Sequence, residues 1–94
     1  MENGIKAGDL VLSKAGRDSG EIFLVIFVDE KHAFIVDGKC RKVRNPKKKK
    51  VKHLKRVSVA GLIELAIQIR SGKPVGNERL YRAIKTAKQK IQED

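Results

Sequence analysis

The run Ile22-Phe23-Leu24-Val25-Ile26-Phe27-Val28 decides the fold. Seven consecutive apolar residues, rich in β-branched and aromatic types, fit a buried strand better than a helix. Such a strand is apolar on both sides and must be covered on both faces. In a chain of 94 residues this predicts the central strand of a small curled barrel, with another element packed outside it. Phe23, Phe27 and Phe34 are accordingly expected in the core.

Outward from this run, the segments on either side also read as strands. Asp9-Leu10-Val11-Leu12-Ser13 is short and aliphatic and predicts a first strand. Ala15-Gly16-Arg17-Asp18-Ser19-Gly20 is turn chemistry, with glycines suited to positive φ and with Asp and Ser able to bond local backbone. After the polar turn Asp29-Glu30-Lys31, Ala33-Phe34-Ile35-Val36 predicts a third strand. Asp37-Gly38 predicts a tight hairpin into a fourth strand over Lys39–Arg44, broken by Asn45-Pro46. The lysines at 47–50 are expected in a loop that is mobile without a partner, and residues 52–57 in a fifth strand.

The period then changes. Leu62, Leu65, Ala66 and Ile69 recur at helical spacing, and Ile63 and Ile67 widen the stripe. A mostly buried helix over 60–71 follows, stopped by Gly72 and Pro74. Asn77 can cap a second helix, whose apolar stripe is Leu80, Ile84, Ala87 and Ile91. Arg79, Arg82, Lys85 and Lys88 lie off that stripe, on a face expected to be solvated. Tyr81 is expected at the edge of the core rather than as a base stacker. The expected organisation is thus a β unit at 1–59 and a two-helix extension packed on it at 60–94.

Charge is concentrated in one place. The net charge is +11, and residues 39–56 hold eleven bases and no acid. Like charges that close repel one another unless an anion is near, so a polyanion is the simplest partner. The candidate contacts are Lys14 and Arg17, then Lys39, Arg41, Lys42, Arg44, Lys47, Lys48, Lys49, Lys50, Lys52, His53, Lys55 and Arg56. Arginine bonds phosphate bidentately, whereas lysine acts as a point charge on a long stem. Replacing the lysines at 47–50 by alanine is expected to weaken polyanion binding and flatten its salt dependence while leaving the fold intact.

Other chemistries find little in the sequence. Cys40, His32 and His53 lack paired metal-ligand spacing, so no metal or other cofactor is expected, and Cys40 is expected as an apolar filler on a strand. There is no nucleophile elbow or phosphate-loop signature, and Asp9, Asp18, Asp29 and Asp37 stand at strand ends or turns, where carboxylates bond local backbone. A non-enzymatic protein with no small-molecule substrate is expected. No run reaches the roughly 18 apolar residues of a membrane helix. With no signal-like start and a single cysteine, a cytoplasmic setting is expected.

Ala7-Gly8-Asp9-Leu10-Val11-Leu12-Ser13, then Gly16-Arg17-Asp18-Ser19-Gly20, then Glu21 through Val28 resemble a KOW motif. The shared features are a Gly-Asp before an alternating strand, a glycine-bounded loop with a key glycine where Gly20 stands, and a second hydrophobic strand. The continuation through Val36-Asp37-Gly38, Arg44-Asn45-Pro46-Lys47 and Lys52-His53-Leu54-Lys55-Arg56 is similar to the large-subunit ribosomal protein group fourteen-e, six-e and twenty-seven-e and its short bacterial relatives. The resemblance covers about residues 5–57. It implies an α+β fold, a five-stranded barrel of the Src-homology-three-like kind followed by two helices. It also implies RNA binding, with ribosomal RNA or the large ribosomal subunit as partner. A general DNA or polyanion binder and a transcription-elongation-type protein-interaction module are the competing readings.

Overall fold

The computed structural model describes residues 4–57 and 63–92. The strands are β1 (Leu10–Ser13), β2 (Ile22–Val28), β3 (His32–Val36), β4 (Lys47–Lys50) and β5 (Leu54–Val57). A single 3₁₀ turn, Val51–His53, joins β4 to β5, and α1 (Ile63–Arg70) and α2 (Asn77–Gln92) follow. All pairings are antiparallel, in the order β4-β3-β2-β1-β5. The fold is α+β, a five-stranded sheet with two helices, and β2 is central as its composition requires.

The sheet is not closed, yet its edges must approach one another. Laid flat, five strands would place β4 and β5 about 19 Å apart, at about 4.8 Å per interval. One 3₁₀ turn rises only about 2 Å per residue. The sheet therefore curls until three residues can bridge its two edges. Backbone bonds pin the bridge on both sides: Val51 N–H donates to Lys31 C=O at 2.9 Å, and Lys14 N–H donates to His53 C=O at 2.8 Å. A bulge at Ile26 adds twist, because the register steps from Val25↔Ile35 to Phe27↔Phe34.

Curling gives the two faces different cores. Ile5, Val11, Phe23, Val25, Ala33, Ile35 and Leu54 fill the concave side. Leu10, Ile22, Leu24 and Val36 face outward and are covered by Leu65 of α1 and by Leu80, Ile84 and Ala87 of α2. The strand period of two is thus used twice, which is why β2 carries no polar residue. The α2 stripe forms as its spacing predicts, although the side chain of Ile91 lies outside the described residues.

Helix α1 is less buried than its composition predicts. Leu65 is buried, but Ile67 stands exposed. Leu62 and the expected first turn at 60–62 lie outside the described residues. Its last residue also ties the helix to the segment before β1. Arg70 Nε donates to Ala7 C=O at 2.7 Å, and its Nη2 reaches Asp9 Oδ1 at 3.1 Å. Gly72 ends the helix as expected, with Lys73 N–H donating to Gln68 C=O and Gly72 N–H to Ile69 C=O.

Two strand expectations are corrected. Residues 39–44 form no strand, and 47–50 form one instead of a loop. Asp37-Gly38 does not make a tight hairpin because the Asp37 carboxylate takes the N–H groups of Lys39 and Arg41, folding the chain on itself. The loop then docks on α2. Val43 N–H donates to Asn77 Oδ1 at 2.8 Å, so that side chain serves the loop rather than capping the helix. Pro46 lacks an N–H and stands just before β4, where no ladder bond is lost.

Gly38 explains why this docking admits no side chain. Its φ is +83°, and a Cβ there would stand 2.3 Å from Asn77 O and 2.8 Å from Tyr81 N, both backbone atoms. Gly20, at φ +90°, has nothing within 4 Å of such a Cβ. Gly38→Ala should therefore cost about 2–3 kcal/mol, a left-handed penalty plus a clash. Gly20→Val should cost about 1–2 kcal/mol from the backbone alone. Thermal unfolding of the two variants checks the order, and a Gly38→Ala protein as stable as wild type would contradict the docking.

Candidate nucleic-acid interface

The basic segment falls on three adjacent pieces of structure. Lys39, Arg41, Lys42 and Arg44 lie on the β3–β4 loop, all exposed except the half-buried Arg41. Lys47 to Lys50 form β4. Lys52 and His53 sit on the 3₁₀ turn, and Lys55 and Arg56 on β5. Lys14, just after β1, is tied by its backbone to His53. Arg17 is exposed at the β1–β2 loop, between Gly16 and Gly20, both with positive φ. The curl brings both edges of the sheet, β4 and β5, together through the turn, so basic segments at opposite ends of the strand order are carried on adjoining structure.

Strand periodicity splits the four lysines of β4 into two pairs. Lys47 and Lys49 stand opposite Ile35 and Ala33, whose side chains belong to the concave core, and so they point inward. Lys48 and Lys50 point outward and are exposed. Lys49 is only 9 % exposed. Its ammonium donates to Asp18 Oδ1 and, at 2.6 Å, to Ala15 C=O. Lys47 Nζ donates to Asp18 Oδ2 at 2.6 Å, and Ser13 Oγ to Asp18 Oδ1 at 2.7 Å. Lys47 and Lys49 are thus spent on holding the β1–β2 loop over the mouth of the curl. The expectation that all four lysines can be removed with the fold intact does not survive this arrangement.

Burial pushes the Asp18 carboxyl up, but the hydrogen bonds from Lys47, Lys49 and Ser13 outweigh it and hold the group well below the usual carboxylate range. The other described aspartates accept from backbone N–H groups of their own turns. Asp9 accepts from Lys6 N–H, Asp29 from Lys31 and His32 N–H, and Asp37 from Lys39 and Arg41 N–H. The hydrogen bonds from the His32 and Lys31 backbones lower the Asp29 carboxyl.

Further contacts sort the remaining bases. Lys39 Nζ lies 5.8 Å from the centroid of the Tyr81 ring, which is half-buried. On α2, Arg82 pairs with Glu78, Arg79 with Gln68, and Lys88 with Glu21 at 3.0 Å. Arg79, Arg82 and Lys88 thus each have a polar partner. Arg56 Nη1 reaches Gly4 C=O at 3.4 Å but remains half exposed.

Cys40 is exposed on the β3–β4 loop, not a filler on a strand, because that strand does not form. It lines a shallow cleft of about 280 Å³ with Arg17, Asp18, Glu21, Phe23, Asp37, Arg41 and Lys47. Among the described residues no cluster of three His, Cys, Asp or Glu side chains is placed to hold a metal ion. Among them, too, no helix is long and apolar enough to cross a membrane.

The sequence reading missed Phe27. It is 59 % exposed, against the expectation of a core position, and Phe34 is half-buried beside it. The bulge at Ile26 and the end of the strand carry Phe27 beyond the cover of α2. The uniform apolar run gives no alternation from which this could be read; the nearness of the Asp29 turn is its only trace. A scan against protein-family models finds no match to this chain, and a search among curated proteins finds none.

Proposed function

We propose that this protein is a non-catalytic RNA-binding module, and that its target is ribosomal RNA on the large subunit or its precursors, in the cytoplasm. The observation that carries the reading is the set of exposed bases Lys14, Arg17, Lys42, Arg44, Lys48, Lys50, Lys52 and Lys55, carried on two loops, the 3₁₀ turn and the two edge strands of one curled sheet. Asp29 and Asp37 accept from N–H groups of their own turns, and Asp18 is engaged by the two inward lysines. Such bases meet a phosphate backbone, which supplies most of the affinity for nucleic acid. Structured RNA is recognised largely by shape and backbone, so few base-reading groups are needed.

The KOW-like pattern of residues 7–33 supports RNA over DNA, and the curl with its bridged edges supports the Src-homology-three-like barrel that this pattern implies. Sedimentation of cell lysate on a sucrose gradient tests the ribosomal target. Comigration with the large subunit or its precursors that survives high salt is expected. Presence only at the top of the gradient at low and high salt would overturn the ribosomal assignment.

A further inference from the structure

Phe27, Phe34 and Lys48 stand in one row across three strands, through the register pairs Phe27↔Phe34 and Phe34↔Lys48. Directly opposite residues share a face, so the three side chains lie together on the convex side. The next pair along, His32↔Lys50, lies on the same face two residues away. The rings of Phe27 and Phe34 meet at 5.4 Å between centroids, tilted by 52°. Phe34 thus braces Phe27 from one side and leaves much of its ring to solvent. The row ends on β4, an edge strand, so nothing in the sheet stands beyond its lysines.

We infer that Phe27 is a stacking platform for an unpaired RNA base, with Lys48 and Lys50 holding the phosphates beside it. This rests on the RNA-binding reading above and names the substrate feature: a loop, bulge or single-stranded end within the structured target. Charge complementarity selects the occupant. A ring bordered by exposed lysines suits an anion that carries π-faces, whereas the cores of protein interfaces are depleted in lysine. The pair of rings is also far smaller than the roughly 800 Å² per partner of a stable protein contact. The nearby Asp29 carboxylate is engaged in its own turn, where its Oδ1 accepts from Lys31 and His32 N–H.

The test uses the full chain and two RNAs with equal numbers of phosphates, one a hairpin with an unpaired loop and the other a blunt, fully paired duplex. Binding of wild type, Phe27→Ala, Phe27→Leu and Phe27→Tyr is followed by fluorescence anisotropy, with thermal midpoints measured alongside. Phe27→Ala and Phe27→Leu should bind the hairpin roughly tenfold more weakly and the duplex within about twofold of wild type. Phe27→Tyr, which keeps the π-face, should bind both as wild type does. A Phe27→Leu protein that binds the hairpin like wild type would overturn stacking, since only apolar bulk would matter. Equal loss on both RNAs, or loss on neither, would overturn the platform and leave general RNA binding standing. Wild type that binds neither RNA would overturn both readings.

Discussion

Replacing Lys48, Lys50, Lys52 and Lys55 together by alanine should lower affinity for structured RNA by about a thousandfold at 0.1 M salt, with little change in folding. All four are exposed, and none supplies a side-chain bond that holds a loop. The magnitude follows from counterion release. Each phosphate contact contributes roughly 0.7–0.9 to the slope of log K against log salt, so four contacts contribute about 3. Lines that differ by 3 in slope and meet near 1 M salt lie about three decades apart at 0.1 M. Fluorescence anisotropy against one structured RNA, repeated at several salt concentrations, measures both the loss and the slope. Replacing Lys47 and Lys49 gives the opposite pattern, a loss of stability with a smaller change in slope, because their ammonium groups already face Asp18. If the two sets behaved alike, the division of β4 into inward and outward lysines would be wrong.

Asp18→Ala should destabilise the fold by about 3–4 kcal/mol, enough to lower the thermal midpoint of so small a domain by 12 °C or more at about 4 °C per kcal/mol. The Asp18 side chain is only 12 % exposed, and its removal strands the ammonium of Lys49 in a site that is 9 % exposed. A buried charge without its partner costs more than the pair contributes when intact. Lys49→Met should be milder, about 1 kcal/mol, because Asp18 keeps Lys47 and Ser13 and the methionine fills the vacated stem.

The same group sets an acid dependence. Its folded pKa lies below the unfolded value of about 3.9, so its contribution is complete above that value and is lost as pH falls through it toward the folded one. Wild type should therefore lose stability below about pH 4 more steeply than Asp18→Asn, and the two curves should converge in acid. Urea unfolding between neutral pH and acid checks this. Parallel curves would mean that the Asp18 cluster does not support the fold.

The parts of this fold that were legible in the sequence depend on near neighbours. Ile22 to Val28 need both faces covered whatever surrounds them, and Leu80, Ile84 and Ala87 recur at the helical period. Gly72 ends α1 by a local bond pattern. What the sequence hid depends on partners far along the chain. Four lysines in a row read as a repelling loop until Asp18, about thirty residues earlier, takes two of them. Asp37-Gly38 reads as a hairpin until the N-terminus of α2 is seen against Gly38. Phe27 reads as core because the run gives no clue to where the cover of α2 ends. The candidate site was legible as a charged segment; which of its bases face outward was not.

The measurement that bears most directly on the account is the salt dependence of binding between the purified full chain and a structured ribosomal RNA fragment. With eight exposed bases available to phosphate, affinity should fall steeply with salt, with a log–log slope of about −5 or steeper. A slope near zero, or no binding at 0.1 M salt, would contradict RNA binding through these bases.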